Sequence, residues 1–139
     1  MNVPLVDLRA QYRSLASELQ QAISAVLERG DFVLGEEVGL FEREFAAYCE
    51  AKYAVSVDSG TSALELALRA FDIGPGDEVI TVANSFIASA SAISYTGARP
   101  VLVDINPGTY NIDVSCIEEA ITERTRAIIP VHLYGHPVD

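Results

Sequence analysis

Val55-Ser56-Val57-Asp58-Ser59-Gly60-Thr61-Ser62-Ala63-Leu64 is the stretch around which the chain is organised. An alternating β-branched run ends in a turn of small residues. A helical pattern begins at once, with apolar residues at Leu64, Leu66, Ala67, Leu68 and Phe71. A strand that hands directly to a helix leaves the first backbone N–H groups without intrahelical partners. Those donors and the positive end of the helix dipole favour an anion, phosphate above all. In that role Gly60 lets a ligand approach the backbone, while Thr61 and Ser62 add hydroxyl donors. The same residues also suit a plain structural role, with Ser59 or Thr61 capping the helix and Gly60 making the turn. The stretch alone leaves both open.

Downstream, strands and helices alternate. Residues 53–58 read as a strand and 61–71 as a helix. The turn Gly74-Pro75-Gly76-Asp77 leads into a strand over 78–82. Asn84-Ser85 then cap a helix over 86–95, a third strand covers 100–104, and Pro107-Gly108 turns the chain toward a helix over 114–123. A fourth strand covers 127–132. The pattern predicts an α/β fold with four neighbouring parallel strands, covered on both faces. Ligands of such sheets bind beyond the carboxyl ends of the strands. Ser59-Gly60-Thr61, Asn84-Ser85-Phe86, Asp104 and His132 all fall there, which favours a ligand role for the small-residue turn.

Upstream, Leu15, Leu19, Ile23, Val26 and Leu27 recur at helical spacing, and Gly30 is the stop. After an extended link from Asp31 to Gly35, a second amphipathic helix runs from Glu36, with Val38, Phe41, Phe45 and Tyr48 on one face. Gly39 inside it costs about 1 kcal/mol relative to alanine. The organisation is therefore a helical segment over 1–52 and the first part of an α/β domain over 53–139. The chain stops just after a strand, so a covering helix is expected beyond it and the α/β domain is incomplete.

Composition narrows the function classes. Half of the 139 residues are hydrophobic, enough for a core, and nine basic against twenty acidic residues give a net charge of −11. That balance opposes binding to a nucleic-acid backbone. The start Met1-Asn2-Val3-Pro4-Leu5-Val6-Asp7 has no secretory pattern, and no run reaches membrane-spanning length. A cytoplasmic protein is expected. Cys49 and Cys116 fit no metal or redox spacing and are expected as buried or half-buried free thiols within helices. His132 and His136, four apart but astride a glycine at a strand end, are not expected to bind metal. Asp104 reads as a turn former before Asn106-Pro107-Gly108. Lys52 is the chain's one lysine.

Taken together, Pro4-Leu5-Val6-Asp7-Leu8, Gly60-Thr61-Ser62-Ala63-Leu64, Gly74-Pro75-Gly76-Asp77-Glu78-Val79-Ile80, Asn84-Ser85-Phe86-Ile87-Ala88 and Pro130-Val131-His132-Leu133-Tyr134-Gly135 resemble the DegT/DnrJ/StrS family of pyridoxal-phosphate (PLP) sugar aminotransferases. The resemblance implies the large domain of an aspartate-aminotransferase-like, fold type I transferase, here truncated to its N-terminal part. It also implies a homodimer and the transfer of an amino group, usually from glutamate, to a nucleotide-linked keto-sugar. By position, Gly60 and Thr61 match the family's phosphate cradle, Ser62 is a further phosphate candidate, and Phe86 matches the ring that stacks on PLP. The family's Schiff-base lysine and pyridine-pairing aspartate lie downstream. Lys52, ahead of a strand at the opposite end, does not replace the lysine, so the chain alone is expected to be inactive. A PLP-dependent sugar dehydratase of the same family and a non-catalytic module binding a phosphorylated ligand are the alternatives.

Overall fold

A computed structural model describes residues 4–139, so the first three residues of the start read above lie outside the described residues. The described part forms two units, one up to Ser56 and one from Val57.

The first unit holds α1 (Leu8–Arg29) and α2 (Glu36–Tyr48). α1 begins seven residues before the apolar spacing shows itself, because the Asp7 carboxylate accepts the Ala10 N–H at 3.0 Å and caps it. It ends at Gly30, whose N–H closes on the Val26 carbonyl at 2.9 Å, as the sequence predicts. The link to α2 is braced. Asp31 accepts the Glu36 N–H at 3.2 Å and pairs with Arg29, which also pairs with Glu37. The Glu36 amide first, and then the Arg29 charge, hold the Asp31 carboxyl below its usual range. A Cβ on Gly35 would lie 2.3 Å from the Asp31 carbonyl oxygen, so the link requires glycine there. Along α2, Phe41 stacks on Phe45 at 5.5 Å and Phe45 meets Tyr48 at 6.4 Å, realising the predicted aromatic face. Cys49 is a correction: it caps α2 and is exposed rather than buried, since the helix has ended before it. Among the described residues, no helix is long and apolar enough to cross a membrane.

The predicted strand over 53–58 is the main correction. The segment makes no ladder with any described residue, and Val55 is 81% exposed. β-branched alternation marks residues suited to a pleated surface, but a strand exists only where a neighbour supplies hydrogen bonds. Among the described residues three parallel strands form rather than four.

The second unit contains α3 (Gly60–Ala70), β1 (Glu78–Val82), α4 (Ala88–Tyr95), β2 (Arg99–Val103), α5 (Val114–Ala120), β3 (Thr125–Ile129) and a 3₁₀ turn at Leu133–Gly135. The sheet order is β2-β1-β3, all parallel. β1 is buried at all five positions, and successive residues face opposite sides. Val79 joins Leu68, Ile73, Ile93 and Ala98 on the α3/α4 face. Ile80 and Val82 join Val103, Ile112 and Ile117 on the α5 face. Both faces are covered, as the alternation predicts. Cys116 packs against the second cluster, half-buried as expected.

At the amino edge, Glu78 is 1% exposed. Its carboxylate pairs with Arg99 at 2.8 Å and Arg124 at 2.7 Å, and accepts the Thr122 hydroxyl at 2.7 Å. The Thr122 bond first, then the Arg124 and Arg99 charges, outweigh burial and hold this carboxyl below its usual range. A bulge follows Glu78 in the β1–β3 ladder, and Arg126 beside it reaches Asp77 at 3.3 Å.

Folding lowers the Glu78 pKa. Its contribution to stability is therefore complete above the unfolded-state value, about 4.3, and is lost as pH falls through the lower folded value. Glu78→Gln is expected to reduce Tm by about 5–10 °C near neutral pH. That deficit should shrink steadily on acidification, as followed by circular dichroism.

Candidate functional site

Ser59 starts the site. It is extended (φ −156°, ψ 159°), and its hydroxyl accepts the Ser62 N–H at 3.2 Å, while the Ala63 N–H bonds the Ser59 carbonyl at 3.0 Å. The cap is thus Ser59, one of the two candidates read from the sequence. Gly60 and Thr61 become the first two helical residues, one position earlier than predicted. Among the described residues, the Gly60 and Thr61 amides have no hydrogen-bond partner. A Cβ built on Gly60 would meet nothing within 4 Å. The helix therefore opens onto free space with two donors presented, and the Ser62 hydroxyl lies 3.0 Å from that of Ser59.

Phe86 is the second element. The predicted helix start at residue 86 is corrected: α4 begins at Ala88, with Ile87 at the cap position and no side-chain cap. Asn84 and Ser85 do not cap it. The Ser85 hydroxyl instead bonds that of Ser89, at 2.9 Å, inside the first turn. Phe86 is left in the turn between β1 and α4, 76% exposed, bounded by the bond from the Ser89 N–H to its own carbonyl.

Topology brings the two elements to one edge. α3 packs along α4, and an Arg69 guanidinium nitrogen donates to the Tyr95 carbonyl at 2.7 Å, joining their C-terminal ends. The N-terminal ends therefore lie at the same side. α4 directly follows β1, so that side is the carboxyl edge of the sheet. An anion-accepting helix start and an exposed flat ring on this edge suit a ligand with a phosphate and a planar apolar body.

The other candidates divide. Asp104 turns the chain, its carboxylate accepting the Ile105 N–H at 2.8 Å. His132 lies beyond β3, which ends at Ile129 because Pro130 has no N–H for the ladder. The Lys52 ammonium sits over the Tyr53 ring at 5.1 Å. Sequence reasoning passed over two polar residues. Glu78 had a signal, a lone charge heading an otherwise apolar buried strand, with arginines at or just before the next two strands. Asn111 had none; it is 6% exposed in the loop after β2, and its carboxamide donates to the carbonyls of His136 at 3.1 Å and Pro137 at 3.0 Å.

Comparison with known proteins agrees with the fold. A profile of the DegT/DnrJ/EryC1/StrS aminotransferase family matches residues 13–139. The chain is 53% identical to the dTDP-3-amino-3,4,6-trideoxy-alpha-D-glucose transaminase of Streptomyces venezuelae, covering 99% of this chain and 36% of that protein. It is 54% identical to the dTDP-3-amino-3,6-dideoxy-alpha-D-galactopyranose transaminase of Aneurinibacillus thermoaerophilus, covering 99% of this chain and 38% of that one. The crystal structure of ntda from Bacillus subtilis with bound cofactor PMP superposes with a TM-score of 0.93 at 39% identity, over 99% of this chain and 32% of that chain. The chain thus spans about a third of the length of these relatives.

Because the Ser59 hydroxyl is the side-chain cap of α3, Ser59→Ala should lower the unfolding free energy by about 1 kcal/mol. Urea titration should show an earlier midpoint at an unchanged slope.

Proposed function

This chain belongs to the DegT/DnrJ/EryC1/StrS aminotransferase family, and from that membership we propose that the whole protein carrying it aminates a nucleotide-linked keto-sugar with PLP. The observation that carries the reading is the free helix start at Gly60-Thr61 sharing the carboxyl edge with the exposed Phe86 ring. When bound, the cofactor supplies the electron-withdrawing ring on which amino transfer depends. This chain's residues bind and orient it. The Gly60 and Thr61 amides donate to the phosphate, and the Thr61 and Ser62 hydroxyls add to them. Phe86 covers one face of the ring and excludes water from it.

Relatives of equal similarity act on different dTDP-sugars, a trideoxyglucose and a dideoxygalactopyranose. The reading therefore extends to nucleotide-linked sugars as a class, with glutamate as amino donor and a homodimer as the working form. On this reading the Schiff-base lysine belongs to a later part of the whole protein, and Lys52, the one lysine here, is not its substitute because it precedes the segment that leads into α3. The isolated chain is accordingly expected not to turn over.

Open space over Gly60 separates ligand effects from folding effects. In the whole protein, Gly60→Val should leave the apo Tm within a few degrees but weaken PLP retention more than Thr61→Ala does. The latter loses only about 1 kcal/mol, one net hydrogen bond. Phe86→Ala should lose roughly 0.5–1.5 kcal/mol of affinity beyond area burial. Paired melts of apo and PLP-bound forms check this. Equal destabilisation of both forms by Phe86→Ala would assign the ring to the core and withdraw its cofactor role.

A further inference from the structure

His132 carries a polar contact that the reading above does not use. The Val138 N–H donates to its Nδ1 at 2.9 Å. A ring nitrogen that accepts carries no proton, so neutral His132 bears its proton on Nε2. Protonation at Nδ1 would set two donors face to face. Val138 is held for this contact by Asn111, whose carboxamide bonds the carbonyls of the two preceding residues, His136 and Pro137. The Asn111 Oδ1 is buried with no partner among the described residues, so its amide is retained for those two bonds against a desolvation cost.

The register places His132 at the ligand edge. Thr81 pairs with Ile129, the last residue of β3, so the segment from Pro130 to His132 leaves the sheet at the same edge as the turn from β1 to Phe86. Neighbouring strands lie about 4.8 Å apart. β1 leads to β2 on one side while β3 lies on its other side, so the strand order reverses at β1. The crevice outside the carboxyl ends at such a reversal is where doubly wound sheets take their ligands. Phe86 and His132 stand at the two strand ends flanking it, and His132 is exposed there.

We infer that His132, fixed as the neutral Nε2–H tautomer by the Asn111-braced turn, donates a hydrogen bond to an anionic oxygen of the molecule bound between the ends of β1 and β3, with Asn111 as its positioning residue. The inference rests on the PLP reading for the identity of that molecule. Its chemistry requires an acceptor oxygen, which the cofactor and free phosphate both possess.

The test labels histidine with 15N in the whole apo protein and assigns His132 through His132→Gln. Long-range 1H–15N spectra near neutral pH should show Nε2 protonated and Nδ1 accepting, and Asn111→Ala should turn this into a tautomer mixture. PLP should shift the Nε2 signal, while inorganic phosphate at the same concentration should not. His132→Leu should weaken PLP about tenfold, the size of one hydrogen bond. His132→Gln, whose amide still donates, should recover most of that loss. An Nδ1-protonated ring, or no response to Asn111→Ala, overturns the fixed tautomer. Bound PLP, seen by its absorbance, with no shift at Nε2 overturns the donor role. An equal response to phosphate reduces the site to an adventitious anion contact. Failure of the wild-type protein to bind PLP at all overturns the cofactor reading itself and the donor role with it.

Discussion

The carboxylate of Glu78 is the point on which the α/β unit depends. It heads the central strand, almost fully removed from water, and it gathers Arg99, Arg124 and the Thr122 hydroxyl. Those partners stand at or just before the starts of the two flanking strands, so one buried charge ties three strands together at their amino edge. A buried carboxylate is costly unless paired and hydrogen-bonded. Here all its partners converge, and the correct strand order is the arrangement that supplies them.

This arrangement divides the polar chemistry of the sheet between its ends. Asp77, Glu78, Arg99, Arg124 and Arg126 satisfy one another at the amino edge. At the carboxyl edge the Gly60 and Thr61 amides have no partner among the described residues, and Phe86 and His132 are exposed. The apolar clusters on the two faces of β1 hold the ends apart. Paired charge at one edge and exposed polar groups at the other follow from one parallel sheet, because every helix that follows a strand starts at the same side.

The change of helix face sets where the strand order reverses. α4 carries the chain from β1 to β2 on one face, and α5 carries it back past β1 to β3 on the other. Crossovers of constant hand require this when the direction of travel reverses. The loops after β1 and β3 are then drawn to opposite faces. The space between them is left to Phe86 and His132.

Several features were determined by the sequence itself. The α/β class, the parallel strands over 78–82 and near 100 and 127, the Gly30 stop and the helix start at Ser59-Gly60-Thr61 are all local. Periodicity, caps and glycine conformations act within a few residues, so they are legible one residue at a time. The family resemblance carried by ordered motifs is legible in the same way. Tertiary structure alone decided the rest. Residues 53–58 have strand composition and no ladder, since pairing depends on a neighbour that composition does not name. The burial of Glu78, the two bonds made by the Asn111 carboxamide and the Val138 contact of His132 depend on groups 21 to 46 residues away, or on a turn whose shape such groups set. A side chain's burial and partners are set by what the fold places within a few ångströms, and no periodicity encodes that.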